Sequence, residues 1–182
     1  MNKKTLILSL FGCLVLLQMG VPGSMILQQE GVLSTGQEFK FRTEPVDPFD
    51  AFRGRFVALS LRERSAPNQE GLNLAVGQQV FAVINVGADG FAAFSRISAV
   101  VPRHEPYLKV KVGAVAGNEI YLRVPIDRYY LPEHKAPRAE ELYRKHNVRG
   151  SSDAFVSVMI KDGNPVVKNL YVGGKPIQEA LK

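Results

Sequence analysis

Gln79-Val80-Phe81-Ala82-Val83-Ile84-Asn85-Val86 followed by Gly87-Ala88-Asp89-Gly90 is the stretch that decides the fold. Val80, Ala82, Ile84 and Val86 recur at every second position, the period at which successive side chains leave opposite faces of a strand. Two glycines and an aspartate then reverse the chain, and a strand-like run from Phe91 to Val101 follows, which predicts an antiparallel pair. Working outward, the same period recurs on both sides. Phe39 and Phe41 alternate with Lys40 and Arg42, and Val57, Leu59 and Leu61 share one face of Arg55 to Arg62. Leu108, Val110 and Val112 alternate with Lys109 and Lys111, and Gly117-Asn118 turns the chain into Ile120 to Val124. Phe155, Val158 and Ile160 lead into Asp162-Gly163-Asn164, from which Val166 to Val172 returns as the second arm of a hairpin. One segment reads as a helix, Ala136 to His146, with Pro137 near its first turn. The expected architecture is mainly β, an antiparallel sandwich or partly open barrel with one short helix. Arg64 to Leu72, rich in Pro, Asn, Gln and Gly, is expected to be a loose loop.

The chain has 182 residues, which suits one domain behind a leader. Lys3 and Lys4 open it, and no charge follows until Glu30. Between them runs an apolar stretch that includes Leu6 to Leu8, Leu10, Phe11 and Leu14 to Leu17, long enough for the roughly 20 residues that cross a bilayer as a helix. Residues 1–29 are therefore expected to be a signal anchor or transmembrane helix, with residues 30–182 a β-rich extracytoplasmic domain. The basic start keeps the N-terminus inside, giving a single-pass protein of the cell (inner) membrane whose domain faces the periplasm. Two other readings stay open. The leader is cleaved beyond Leu17, near Gly20, Pro22 and Gly23, or Cys13 in Leu10-Phe11-Gly12-Cys13 is lipidated.

Cys13 is the one cysteine, so the expected exported domain has no disulfide, thiolate metal site or cysteine nucleophile. Net charge is +6, but the basic residues are spread and interleaved with acids, which reads as a solvated surface rather than a nucleic-acid patch. His104, His134 and His146 have no ligand spacing. No cofactor and no metal are expected.

The most unusual stretch is Arg42-Thr43-Glu44-Pro45-Val46-Asp47-Pro48-Phe49-Asp50-Ala51-Phe52-Arg53-Gly54-Arg55-Phe56, running into the Val57 to Leu61 strand. Each proline forces extended backbone at the residue before it, and Asp47 and Asp50 can accept backbone N–H groups. A rigid corner with internal acid–arginine pairs is the ordinary reading, and a ligand- or partner-binding loop is the functional one.

Here the sequence resembles the bacterial GDYXXLXY proteins, named for a Gly-Asp-Tyr motif downstream of a Thr-Glu-Pro-Val-Asp-Pro and Arg-Gly stretch. Thr43 to Pro48 and Arg53-Gly54 match closely. In the naming motif Gly54 and Leu59 are kept, while Arg55 replaces the aspartate, Phe56 the first tyrosine and Leu61 the last. Ile126 to Glu133, the leader, and Asp162-Gly163 with Val167-Lys168 also fit. The resemblance implies a small membrane-anchored protein with no established activity that accompanies a multi-spanning membrane protein. It marks Glu44, Asp47, Arg53, Gly54, Arg55, Leu59, Asp127, Tyr129 and Tyr130 as binding candidates. Any role of the motif carboxylate is lost with Arg55.

The rival is a membrane-bound hydrolase. A carboxylate version would use Glu44, Asp47 and Asp50, or Asp127 and Glu133. A Ser/Lys version would use Ser24 in Pro22-Gly23-Ser24-Met25, a context similar to that of the type I signal peptidases, with Lys109 or Lys111 as base. Alternation points both lysines to the polar face. Tyr129 and Tyr130, with Tyr143, are the aromatic candidates for recognition; adjacent strand positions put one of the first two inward and the other outward. A non-enzymatic accessory or binding role is the expected function.

Overall fold

The structure, a computed structural model, describes residues 3–45, 56–69, 71–147 and 153–181. It opens with a long helix, α1 (Lys3–Thr35), whose apolar side chains from Ile7 to Leu27 stand largely exposed. This is one N-terminal helix long and apolar enough to cross a membrane. It carries on beyond Gln29 through Gly31, so the two-residue period begins only at Gln37. Gly36 closes the helix, its N–H donating to the Val32 carbonyl at 2.9 Å. A Cβ there would stand 2.5 Å from that same oxygen, so the exit from helix to strand needs glycine.

The rest is mainly β and antiparallel throughout the described residues. Strand β1 (Gln37–Arg42) pairs with β9 (Ala154–Lys161), β9 with β10 (Asn164–Val172), and β10 with the short β11 (Lys175–Pro176). A second sheet runs in the order β3 (Ser65–Pro67), β7 (Glu119–Arg123), β6 (Tyr107–Ala116), β4 (Gln79–Val86), β5 (Ala92–Ser98). Its outer strands β3 and β5 come back into contact, so the five strands form a nearly closed barrel. A two-stranded ribbon joins β2 (Phe56–Ala58) to β8 (Arg128–Tyr130). Helix α2 (Ala136–His146) packs over β2, and a last turn, α3 (Ile177–Ala180), lies against β10.

Alternation decides what is buried. Val80, Ala82 and Ile84 of β4, Leu108, Val110 and Val112 of β6, Ile120 and Leu122 of β7, and Val156, Val158 and Ile160 of β9 all point into one core. Phe41 of β1 meets Phe94 of β5 with ring centroids 5.8 Å apart, tying the two sheets together. The turns follow their residues. Asp162 (φ 49°) and Gly163 (φ 74°) both take positive φ between paired Lys161 and Asn164, the geometry of a two-residue hairpin whose twist suits its strands. Gly163 also lies against Tyr107, and its carbonyl accepts from the Lys109 N–H at 2.9 Å, so this hairpin tip ties onto β6.

Two sequence expectations change. Arg64 to Leu72 is not simply loose. Ser65–Pro67 forms edge strand β3, where proline is tolerated because one side of the strand has no ladder to donate to. The Asn68 side chain then ties off the next residues by bonding both the N–H and the C=O of Leu72. A three-residue strand is too short for its period to stand out. The Phe91 to Val101 run ends early, at Ser98, whose hydroxyl bonds to both backbone groups of Val100 and folds the chain out of the sheet.

Candidate functional site

The two arms of the Thr43 to Leu61 corner lie side by side. Thr43 bridges Leu61, the Glu44 N–H donates to the Ser60 carbonyl at 2.8 Å, and the Arg62 N–H donates to Arg42 at 3.0 Å. The Glu44 carboxylate accepts from the Ser60 hydroxyl at 3.0 Å and from the Arg64 guanidinium. Both bonds fall on Oε1, which is thus engaged within the protein, as the rigid-corner reading expects. Asp47, Asp50, Arg53, Gly54 and Arg55 lie outside the described residues.

The two sequence patches singled out separately turn out to be partners. Phe56 faces Tyr130, Val57 faces Tyr129 and Ala58 faces Arg128, and the Leu59 N–H extends the pairing to the Asp127 carbonyl at 2.9 Å. The period of two then sorts the side chains. Val57, Leu59 and Tyr129 go inward, Tyr129 being 5% exposed. Its hydroxyl accepts from the Gln178 amide at 3.2 Å, and burial raises its pKa. Phe56, Ala58, Arg128 and Tyr130 go outward, and Tyr130 is 66% exposed. Phe56 and Tyr130 meet edge to face at 5.9 Å, and the Arg128 guanidinium lies 5.1 Å from the centre of the Phe56 ring. The Tyr130 hydroxyl, then the Asp127 carboxylate 3.4 Å away, favour the charged form of Arg128. The result is a small aromatic face with a cation on it.

Of the candidates, Leu59 and Tyr129 serve the core, Glu44 the corner, and Tyr130 and Asp127 the exposed face. Phe56 and Arg128 were missing from the candidate set. Alternation alone puts each on its own strand's outer face, but only the register between the strands makes them neighbours of Tyr130.

Behind the ribbon, Tyr143 of α2 is buried with its hydroxyl beside Thr43 and without a hydrogen bond among the described residues. Burial pushes this phenol up to about 12. On the far side of β1 a shallow pocket of about 210 Å³ is lined by Arg42, Glu63, Asp89 and Phe91 among others. Arg42 stands 2.5 Å from Asp89, 4.0 Å from Glu63 and 4.1 Å from the centre of the Phe91 ring. Asp89 is held below its usual value by that guanidinium, whereas burial raises Glu63, one of whose oxygens has no hydrogen-bond partner among the described residues.

Of the groups named for hydrolysis, Glu44 is engaged in the corner, and Asp47 and Asp50 lie outside the described residues. Ser24 lies within α1 and donates to the Val21 carbonyl at 2.7 Å, while Lys109 and Lys111 stand on β6. His104, His134 and His146 belong to no metal-holding group among the described residues.

Fold and site together define a small antiparallel β domain carried behind a single apolar helix, with a two-stranded motif ribbon on its surface. Its sequence fits the family model of the GDYXXLXY protein over residues 18–170, and the chain belongs to that family. No curated protein and no solved structure matches.

Proposed function

We propose that this protein is a non-enzymatic accessory or binding protein, held in the cell membrane by α1 with its N-terminus in the cytoplasm and its β domain in the periplasm. It works with a multi-spanning membrane protein, which it contacts through the outward face of the β2–β8 ribbon. The observation that carries this reading is the joining of the two family patches into one surface on which Phe56, Arg128 and Tyr130 stand outward. Aromatic and arginine side chains are the types that dominate interface cores, because they bury large area while keeping a polar handle. Val57 and Tyr129 turn inward and so set the position of this face. The basic start, Lys3 and Lys4, supports the orientation.

Affinity isolation from detergent-solubilised membranes tests it. The full chain is expected to recover the same multi-spanning protein repeatedly. Arg128→Ser with Tyr130→Ser is expected to weaken that recovery at least tenfold, since interface anchors commonly contribute about 2 kcal/mol each. Repeated recovery of the chain alone contradicts the proposal.

A further inference from the structure

On the outer face of the five-stranded sheet, Lys111 of β6 lies directly opposite Arg123 of β7. Lys109 stands two positions along β6 and therefore on the same face. Like charges directly opposed on neighbouring strands disfavour the sheet. Among the described residues no carboxylate pairs with any of the three, although elsewhere Glu38, Glu44, Asp89 and Glu105 each hold a cation. The three cations line, together with Gln79, Val124 and Pro125, a depression of about 300 Å³. Phe81 and Tyr107, edge to face at 5.5 Å, adjoin it on the same face.

The position of this cluster is as informative as its charge. Lys161 donates to the Thr35 hydroxyl at the last residue of α1, at 2.8 Å. The hairpin tip that follows, Asp162-Gly163, sits on Tyr107 and Lys109. A short run of contacts thus leads from the end of α1 to the cluster, on the side of the domain from which the apolar helix leaves.

We infer that Lys109, Lys111 and Arg123 form a site for the phosphate headgroup of an anionic phospholipid in the leaflet from which the domain emerges. The three cations supply the charge that the fold leaves unmatched, and the Phe81 and Tyr107 rings suit the headgroup–acyl boundary where aromatic side chains collect. The inference rests on α1 being a membrane helix. It goes beyond the protein-partner role, because the ribbon takes no part in it.

The test uses the full chain in an uncharged detergent, titrated separately with phosphatidylglycerol, phosphatidylcholine and inorganic phosphate, with bound lipid counted by native mass spectrometry and phosphate followed by calorimetry. Phosphatidylglycerol is expected to bind at least tenfold more tightly than either competitor. The combined Lys109→Gln, Lys111→Gln, Arg123→Gln variant is expected to lose that affinity on the order of a hundredfold, from about fivefold per cation. Its folding is not at risk, since it removes repulsion, and a thermal melt verifies this. Arg138→Gln, Arg144→Gln and Lys145→Gln, an equal charge removal on α2, should leave binding unchanged. Equal binding of phosphatidylcholine, survival of binding in the cluster variant, or equal loss in the α2 variant overturns the inference. Phosphate binding as tight as the lipid also overturns it, by making the site one for a free anion. Membrane fractionation of the same chain reports on α1 independently, so failure of the anchor and failure of the site are told apart.

Discussion

The two sheets treat their outward-facing cations differently. On the four-stranded sheet Lys168 pairs with Glu38 at 2.8 Å, Arg42 pairs with Asp89 and covers Phe91, and Lys40 lies 6.0 Å from the centre of the Phe155 ring, itself stacked on Tyr171. On the five-stranded sheet Lys109, Lys111 and Arg123 have no carboxylate partner among the described residues, and two of them face each other across the ladder. A net charge of +6 says nothing of this division. The lesson is that the unmatched charge is local to one pair of strands. The five-stranded sheet also pairs Arg96 with Glu105, so it is the β6–β7 cluster, not the whole face, that keeps a charge without a carboxylate among the described residues.

The contrast holds only if both faces belong to one cooperative unit, and the largest expected effect checks that. Phe41→Ala removes the ring that joins the sheets and should cost about 3–5 kcal/mol in denaturant unfolding, with both sheets lost in a single transition. Two separate transitions would mean the faces must be treated as independent bodies. Next comes the hairpin tip that ties the four-stranded sheet to β6. A Cβ at Gly163 would fall 2.5 Å from the Tyr107 ring at a φ of 74°, whereas one at Gly117, φ 61°, meets nothing. Gly163→Ala should therefore cost about 2–3 kcal/mol and Gly117→Ala about 1 kcal/mol, the second being backbone strain alone. Equal costs would show that the tip does not bear on β6.

The smaller effects are electrostatic and differ in sign. Burial raises Glu63, so its folded pKa exceeds its unfolded one, and stability falls as pH rises from about the usual carboxylate value of 4.5 through the raised value. Glu63→Gln should remove that fall and raise the melting temperature at neutral pH. Glu38 behaves in the opposite way. Its hydrogen bond to Lys168 lowers its pKa, so its contribution is present above 4.5 and is lost as pH falls through the lowered value. Glu38→Gln should then lower the neutral-pH melting temperature slightly, while Lys111→Gln should raise it by relieving the opposed Arg123. Matching signs for these two would erase the distinction between the faces.

Much of this fold was legible because its strands are long enough for alternation to register. Val80 to Ile84, Leu108 to Val112 and the Asp162-Gly163 hairpin follow directly from period and turn chemistry. So does α2, whose bounds the Ala136 to His146 pattern gives. What the sequence withheld were pairings between distant segments. Nothing local says that Val57 lies beside Tyr129 or Lys111 beside Arg123, because register across the ladder is set by how the whole core closes. Hence the exposed face of Phe56, Arg128 and Tyr130 was only half visible. Tyr129 and Tyr130 could be sorted into one inward and one outward, and Arg128 stands beside them in sequence, but the aromatic partner Phe56 could not be placed there. The family resemblance pointed to the two patches without showing that they touch.

The central claim is that the motif ribbon, and not the basic sheet face, meets a membrane protein. Site-specific photo-cross-linking in intact membranes tests it most directly, with the photoreactive residue placed at Tyr130 or at Tyr121, which is 50% exposed on β7. The account predicts one discrete adduct with a multi-spanning membrane protein from position 130 and none from position 121. No adduct from 130, or the same adduct from both positions, would contradict it.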